Sequence, residues 1–274
     1  MRRITDLAEI QDILFENLIN FKNVCSKNHL RFYLSNGTLL GAVKYKGFIP
    51  WDDDIDVFMP REDYDRLMKV TDFDDGIYEL MAKEKDPRWR VPYAKIKDKR
   101  TYVQETTADF GIENGLSIDV FPLDNWSEHK KRAVTQARYC GLMRRFLTAS
   151  IEKTFKTPRT GIKKFILFMI WKYSHFKGTD YFYNKIMKVI LEENKGRTSQ
   201  YQGSVAWSLY GEKEVIPSDI FSDVEEVTFR GEQFFAPSGY DAYLRNLYGD
   251  YEQDPPAERQ KSHHNIKVWW KNEY

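Results

Sequence analysis

Residues 34–59 read LSNGTLLGAVKYKGFIPWDDDIDVFM and hold two sets of residues able to do chemistry. One is Gly37-Thr38, where an apolar, strand-like run gives way to a helix-like run. The other is the acidic cluster Asp52, Asp53, Asp54 and Asp56, which leads into Val57, Phe58 and Met59. In a strand successive side chains alternate faces, so Asp54 and Asp56 share one face while Ile55 and Val57 point into a core. Two carboxylates fixed side by side repel each other unless a cation lies between them. Hard oxygen donors at a strand end suit magnesium, which completes its shell with waters and substrate phosphates. A helix starting beside them offers free backbone N–H groups to those phosphates. Together these residues point to metal-assisted chemistry on a phosphate ester.

Each half has a plainer reading when taken alone. Acidic runs are usually solvated loops, and Gly-Thr pairs occur in ordinary turns. A calcium loop is excluded, because the position that needs Gly is Val57 and the twelfth is Asp63 rather than Glu. Further on, residues 115–124 (GLSIDVFPLD) place Asp119 as the only charge inside an apolar strand. A buried, uncompensated carboxylate is costly. An ion pair or a helix cap would compensate it, and so would a metal shared with Asp54 and Asp56. The other two motifs favour the metal. Asp124, after Pro122, reads as a turn residue.

With these residues in view, GTLLGAVKYKGFIPWDDDIDVFM resembles the signature of the LicD family. That family lies within the nucleotidyltransferase superfold shared with fukutin-type proteins and DNA polymerase beta. The superfold pattern has a Gly-Ser or Gly-Thr helix start, a carboxylate–apolar–carboxylate strand, and a later strand bearing a third carboxylate. Gly37-Thr38, Asp54-Ile55-Asp56 and Asp119 match it. The resemblance is dense over residues 32–124, thin in the middle, and returns in the last fifth of the chain. It implies an α/β (α+β) fold, a nucleotidyltransferase-type mixed sheet flanked by helices. It also implies catalysis by Asp54, Asp56 and Asp119 holding Mg2+ (or Mn2+). Lys95 and Arg100 resemble basic positions of such proteins, and FRGEQFFAPSGYDAYLRNLYGDY resembles a segment that closes over the nucleotide. The implied activity moves a phospho-alcohol group, with phosphocholine favoured, from a CDP-linked donor such as CDP-choline. The implied acceptor is a sugar hydroxyl of a surface glycan (teichoic acid, capsule or lipopolysaccharide) or of a lipid-linked sugar, with CMP released. Two rivals remain: nucleotidyl transfer from a nucleoside triphosphate, and an inactive scaffold that keeps the fold.

The bulk properties narrow the class. At 274 residues there is length for a large core, and a net charge of +1 argues against a nucleic-acid partner held by a basic surface. Aromatic residues are abundant but do not choose between core, interface and sugar stacking. Cys25 and Cys140 have no metal-like spacing and fit a reducing compartment. The start, MRRITDLAEI, lacks the apolar stretch of a secretory signal. The apolar run FILFMIW at 165–171 is too short to span a bilayer. A cytoplasmic protein is expected, at most touching the inner face of the membrane.

The elements that must position these residues follow in order. Residues 6–25 show a helical apolar stripe, with Asp6 and Glu9 as a cap. Residues 30–34 alternate as a strand, and a helix opens at Thr38. Lys44 and Lys46 follow in a Gly-containing loop and are candidate phosphate contacts. Pro60 ends the acidic strand and starts a short helix over 61–70. Lys95 is the better basic candidate than Arg100, because its strand should lie beside the acidic one. Residues 1–125 thus form the catalytic core. Residues 126–196 form a helical insertion with helices near 128–152, 162–173 and 180–194. Residues 197–274 complete the domain. FILFMIW, flanked by Lys163, Lys164 and Lys172, can lie on a membrane surface, but a buried core helix is the expected outcome. After a loop at 197–203 comes a hairpin turned at Arg230-Gly231, then a helix capped by Ser238 and Asp241 and ended at Gly249. The pair His263-His264 is a candidate substrate contact.

Overall fold

The computed structural model describes residues 1–71, 73, 76–105, 108–196, 198–262 and 266–271. Strand β1 (Arg2–Ile4) leads into α1 (Leu7–Lys27), whose apolar stripe buries Leu14, Leu18, Phe21 and Cys25. Asp6 caps α1 by accepting from Ala8 N–H at 3.0 Å. Glu9 does not complete the cap, because its carboxylate is held by Arg2 and by Trp270 Nε1. The expected strand at 30–34 is ladder-paired only as β2 (Tyr33–Leu34). Then follow α2 (Asn36–Tyr45), β3 (Asp56–Pro60) and α3 (Arg61–Leu67), with Pro60 fixing the entry to α3.

The strands β4 (Tyr78–Met81), β5 (Ala94–Asp98), β6 (Thr101–Glu105) and β7 (Ser117–Asn125) come next. Helices α4 (Lys130–Ile151), α5 (Gly161–Lys177) and α6 (Thr179–Glu193) occupy the helical stretch. The expected loop after them contains β8 (Tyr201–Gly203), followed by β9 (Ile216–Pro217). The hairpin β10 (Val224–Phe229) and β11 (Glu232–Pro237) turns at Arg230 and Gly231, both at positive φ, as a tight primed turn requires. Helix α7 (Tyr240–Tyr248) and β12 (Ile266–Trp270) follow. The Ser238 cap is a correction: α7 starts from Gly239 without a side-chain cap, and Asp241 instead binds Arg245 and Tyr251.

The main sheet is mixed, in the order β2-β3-β7-β5-β4, extended by β8 on β7 and β9 on β8. β7 is central because its run Ile118, Val120, Phe121 and Leu123 is apolar and buried. It pairs with β3 in parallel and with β5 antiparallel. The strand of Lys95 therefore lies beside that of Asp119, one strand away from the DID motif rather than next to it. Asp124 is another correction. β5 leaves β7 after Ala94↔Val120, so Pro122 sits where β7 has a ladder partner in β3 alone, and the strand continues through it. Asp124 is thus fully buried in β7, gripped by Arg61 at 2.6 and 2.9 Å and by Asn194 at 2.9 Å.

One apolar cluster runs from α1 across the sheet to Cys140 and Leu147 of α4 and to Phe182, Ile186 and Ile190 of α6. Helix α5 departs from expectation. FILFMIW is no core segment, since none of its residues is fully buried, Ser174 being the only buried residue of α5, and Phe165, Ile166 and Met169 are more than half exposed. Cys25 and Cys140 are both buried free thiols, which burial pushes above their ordinary range, to about 12 for Cys140. No helix among the described residues is long and apolar enough to cross a membrane.

Candidate active site

The register of the central sheet assembles the charges. Asp56 on β3 lies opposite Asp119 on β7, and Lys95 on β5 lies opposite the same Asp119. Lys95 Nζ closes on Asp119 Oδ1 at 2.8 Å, with both side chains largely shielded from solvent. Asp54 precedes β3 rather than belonging to it, but burial alternates through it from Asp53 to Val57. Ile55 and Val57 are fully buried while Asp54 and Asp56 are only half-buried, as alternation requires.

Asp56 is fixed by groups from α2. Its backbone N–H donates to Thr38 Oγ1 at 2.8 Å, and Asn36 Nδ2 donates to its Oδ2 at 3.2 Å. Asn36 is held in turn by the Tyr243 hydroxyl, which donates to Asn36 Oδ1 at 2.8 Å. Asn36 adopts a left-handed φ of 46°, uncommon for a residue other than glycine and tolerated best by Asn. Burial pushes the Asp56 carboxyl well above the usual carboxylate range, and repulsion from Asp54 and Asp119 adds to this. It lies deep in the fold even though the residue is only half-buried.

Gly37 has a steric reason to be glycine. A Cβ there would stand 2.9 Å from Asp52 Oδ2, so the small residue lets the acidic loop approach the start of α2. At the same helix start Ser35 Oγ is buried without a hydrogen-bond partner. Asp53 is buried and accepts from the Ser262 hydroxyl at 2.7 Å. A cleft of about 60 Å³ is lined by Asp53, Asp54, Lys95, Asn114, Ser117 and Asp119. It shares Val103 and Asn114 with a larger cavity of about 410 Å³, bounded by Tyr102, Asp109, Phe110 and Glu113.

The remaining candidates are distributed differently. Lys44 bonds Asp254 at 2.5 Å and the Tyr251 carbonyl at 3.2 Å, which ties α2 to the stretch after α7. Lys46 is the exposed, left-handed residue after α2, and its carbonyl accepts from Arg230 N–H at 2.7 Å. Arg100 lies past Lys97↔Ser117, at the end of β5 away from Lys95, where Asp98 and Glu16 hold its guanidinium. The structure thus brings Asp54, Asp56, Asp119, Lys95, Gly37 and Thr38 together, and does not bring Lys44 or Arg100 to them. His263 and His264 lie outside the described residues.

Sequence reasoning missed Asn36 and Tyr243. Asn directly before Gly-Thr is compatible with a left-handed helix start, but nothing in the sequence linked it to an aromatic residue far along the chain. It also missed Glu214, fully buried beneath β8. Burial pushes its carboxyl up to about 7, against the pull of backbone N–H groups of Tyr210, Ser204 and Leu209, and its Oε2 has no hydrogen-bond partner.

The donor set fits a hard divalent cation in kind: oxygen ligands alone, with a carboxyl at Asp56 that lacks enough positive charge around it. As the side chains stand, no three His, Cys, Asp or Glu groups among the described residues are gathered tightly enough to chelate an ion. Lys95 supplies the positive charge at Asp119 instead.

Carboxylates on adjacent parallel strands, beside the start of a short helix and within a mixed sheet, define a nucleotidyltransferase-type domain. Residues 29–155 match the family model described as LicD/FKTN/FKRP, nucleotidyltransferase domain. The chain is 32% identical over 279 residues to the lipopolysaccharide cholinephosphotransferase LicD of Haemophilus influenzae, covering 96% of this chain and 97% of that protein. It belongs to the LicD family. Shorter matches join it to an uncharacterised protein of Rickettsia prowazekii (35% over 57 residues, 21% of each chain). Another joins it to one of Rickettsia typhi (38% over 50 residues, 18% of this chain and 16% of that one).

Proposed function

We propose that this phosphotransferase moves phosphocholine, or a closely related phospho-alcohol, from a CDP-linked donor to a sugar hydroxyl of a surface glycan, releasing CMP. The observation that carries the reading is the register of Asp56 and Asp119 on neighbouring parallel strands, with Lys95 against Asp119 and the start of α2 alongside. Similarity along nearly the whole chain to a lipopolysaccharide cholinephosphotransferase supports the choice of phosphocholine and of a glycan acceptor. The CDP carrier, the cytoplasmic setting and the particular glycan (lipopolysaccharide, teichoic acid or capsule) belong to the same proposal.

Asp54, Asp56 and Asp119 would hold Mg2+ or Mn2+, which when bound neutralises phosphate oxygens and favours the attacking and leaving groups of the displacement. The protein's own groups do the rest. Thr38 and Asn36 keep Asp56 in one place, so the acidic row is preorganised. Lys95 is a point charge within reach of a donor phosphate. Backbone N–H groups at the start of α2 face anions by the helix dipole. Asp119, at the far side of the row, would receive the acceptor hydroxyl and its proton. The cavity behind Val103 and Asn114 offers space for the rest of the donor.

The test is incubation with CDP-choline, Mg2+ and a glycan acceptor, reading CMP and phosphocholine-labelled glycan. Asp56→Asn and Asp119→Asn serve as controls that should keep the fold and lose turnover. CMP release abolished by both variants supports the reading. Pyrophosphate release from CTP instead would move the protein to nucleotidyl transfer.

A further inference from the structure

Helix α5 takes no part in the catalytic cleft, and its surface is unlike that of an ordinary solvent-facing helix. Every residue from 161 to 169 is exposed. The later half touches the body through half-buried Ile170 and Trp171 and buried Ser174, with Trp171 Nε1 donating to the Glu152 carbonyl at 3.3 Å. At about 100° per residue, Ile162, Phe165, Ile166, Met169, Tyr173 and Phe176 fall on one stripe, which faces away from that contact except at Tyr173, whose ring also packs on Phe146 and Phe182. They are 70%, 58%, 51%, 51%, 43% and 83% exposed, respectively. A contiguous apolar stripe of this length left in water marks an interaction site.

Charge identifies the partner. Lys172 and Lys177 flank the stripe on its two sides, with their ammonium groups over the rings of Phe168 and Trp171 and of Tyr173 and Phe176. Lys163 and Lys164 stand at the free end, and Lys153, Lys156 and Arg159 precede it. Between Lys153 and Thr179 there is no Asp or Glu, in a chain whose net charge is only +1. A second copy docking through the same face would set this uniformly basic segment against itself. A surface of anionic headgroups over acyl chains complements both the stripe and its lysines.

We propose that α5 is an interfacial helix that docks the protein on an anionic lipid surface, its stripe among the upper acyl chains and its lysines at the phosphates. The docking does not depend on the transferase reading, since it uses none of the cleft residues.

The experiment is flotation of the full chain, without donor or acceptor, on vesicles of phosphatidylglycerol with phosphatidylcholine and on phosphatidylcholine alone. Wild type should float with the mixed vesicles, less with the neutral ones, and less again in high salt. Phe165→Glu with Met169→Glu should lower the bound fraction about tenfold or more at an unchanged melting temperature, because both side chains are exposed. Lys172→Glu with Lys177→Glu should remove the preference for anionic vesicles. Failure of wild type to float, or equal flotation of the Glu double variant, overturns the proposal. So does a sharply lowered melting temperature of that variant, or a solution dimer that the variant converts to monomer. CMP release with a soluble acceptor, measured in parallel, stays the same in both double variants and keeps failure of docking separate from failure of the chemistry.

Discussion

Lys95 Nζ and Asp119 Oδ1, 2.8 Å apart across β5 and β7, make a cation of the protein's own the nearest partner of the third carboxylate. The pair lies where the proposed divalent ion would need Asp119, so lysine and metal would compete for that carboxylate. A unit charge at this distance is worth on the order of 1.5–6 kcal/mol between the dielectric of water and that of a protein surface. Lys95→Met should therefore tighten Mn2+ binding about tenfold or more by calorimetry, while lowering transfer from the donor. An unchanged Mn2+ affinity would mean that the lysine and the metal do not share Asp119.

Thr38 acts on the backbone of Asp56. Thr38→Val keeps the shape but leaves the Asp56 N–H without its acceptor, which typically costs about 1–3 kcal/mol. Turnover should fall further than stability alone explains, and Thr38→Ser should restore it. Chemical denaturation and CMP release, measured side by side, check this. Equal activity in the Val and Ser variants would leave Thr38 as an ordinary helix residue.

Arg61 and Asp124 form a buried bidentate pair that joins the start of α3 to the C-terminal end of β7. Removing one member of such a pair strands the other charge in the interior, at a cost of about 3–5 kcal/mol. Arg61→Met should lower stability by that order in urea unfolding, with the donor KM unchanged. A loss below about 1 kcal/mol would place the pair among weak surface bridges.

Glu214 predicts the pH response. Its folded pKa, about 7, is above the value of a free glutamate, so between roughly pH 4.5 and 7 the folded state binds more protons than the unfolded state. Its contribution to stability therefore falls as pH rises through that window and is flat above it. Glu214→Gln should remove this slope, making the variant relatively more stable at pH 8 than at pH 5. Melting temperatures of both proteins from pH 5 to 8 give the comparison; parallel curves would sink the assignment.

How much of this was legible in the sequence depended on how local each cause was. The alternation of Asp54, Ile55, Asp56 and Val57 held although β3 begins only at Asp56, because an extended chain alternates with or without a ladder partner. The single charge in residues 115–121 identified Asp119, since a lone carboxylate in an apolar run needs an explanation wherever the strand lies. Strand order was less accessible: an apolar run states that β7 is central but not that β3 flanks it on one side and β5 on the other. Asp124 read as a turn because Pro122 normally ends a strand, and only the one-sided pairing there lets the strand continue. The exposure of α5 was hidden because an apolar run of that length has the same sequence whether it faces a core or a bilayer.

The parallel pairing of β3 with β7 also sets when the site can form. Roughly sixty residues lie between Asp56 and Asp119, so their juxtaposition requires closing a long loop, whereas α1, α2 and the β10–β11 hairpin need only near neighbours. Helical signal should therefore return early during refolding, and the acidic row should come into register only with the last long-range contacts. A nascent or truncated chain that looks structured would still be unable to bind its donor, which makes ligand binding a sensitive report of complete folding for this protein.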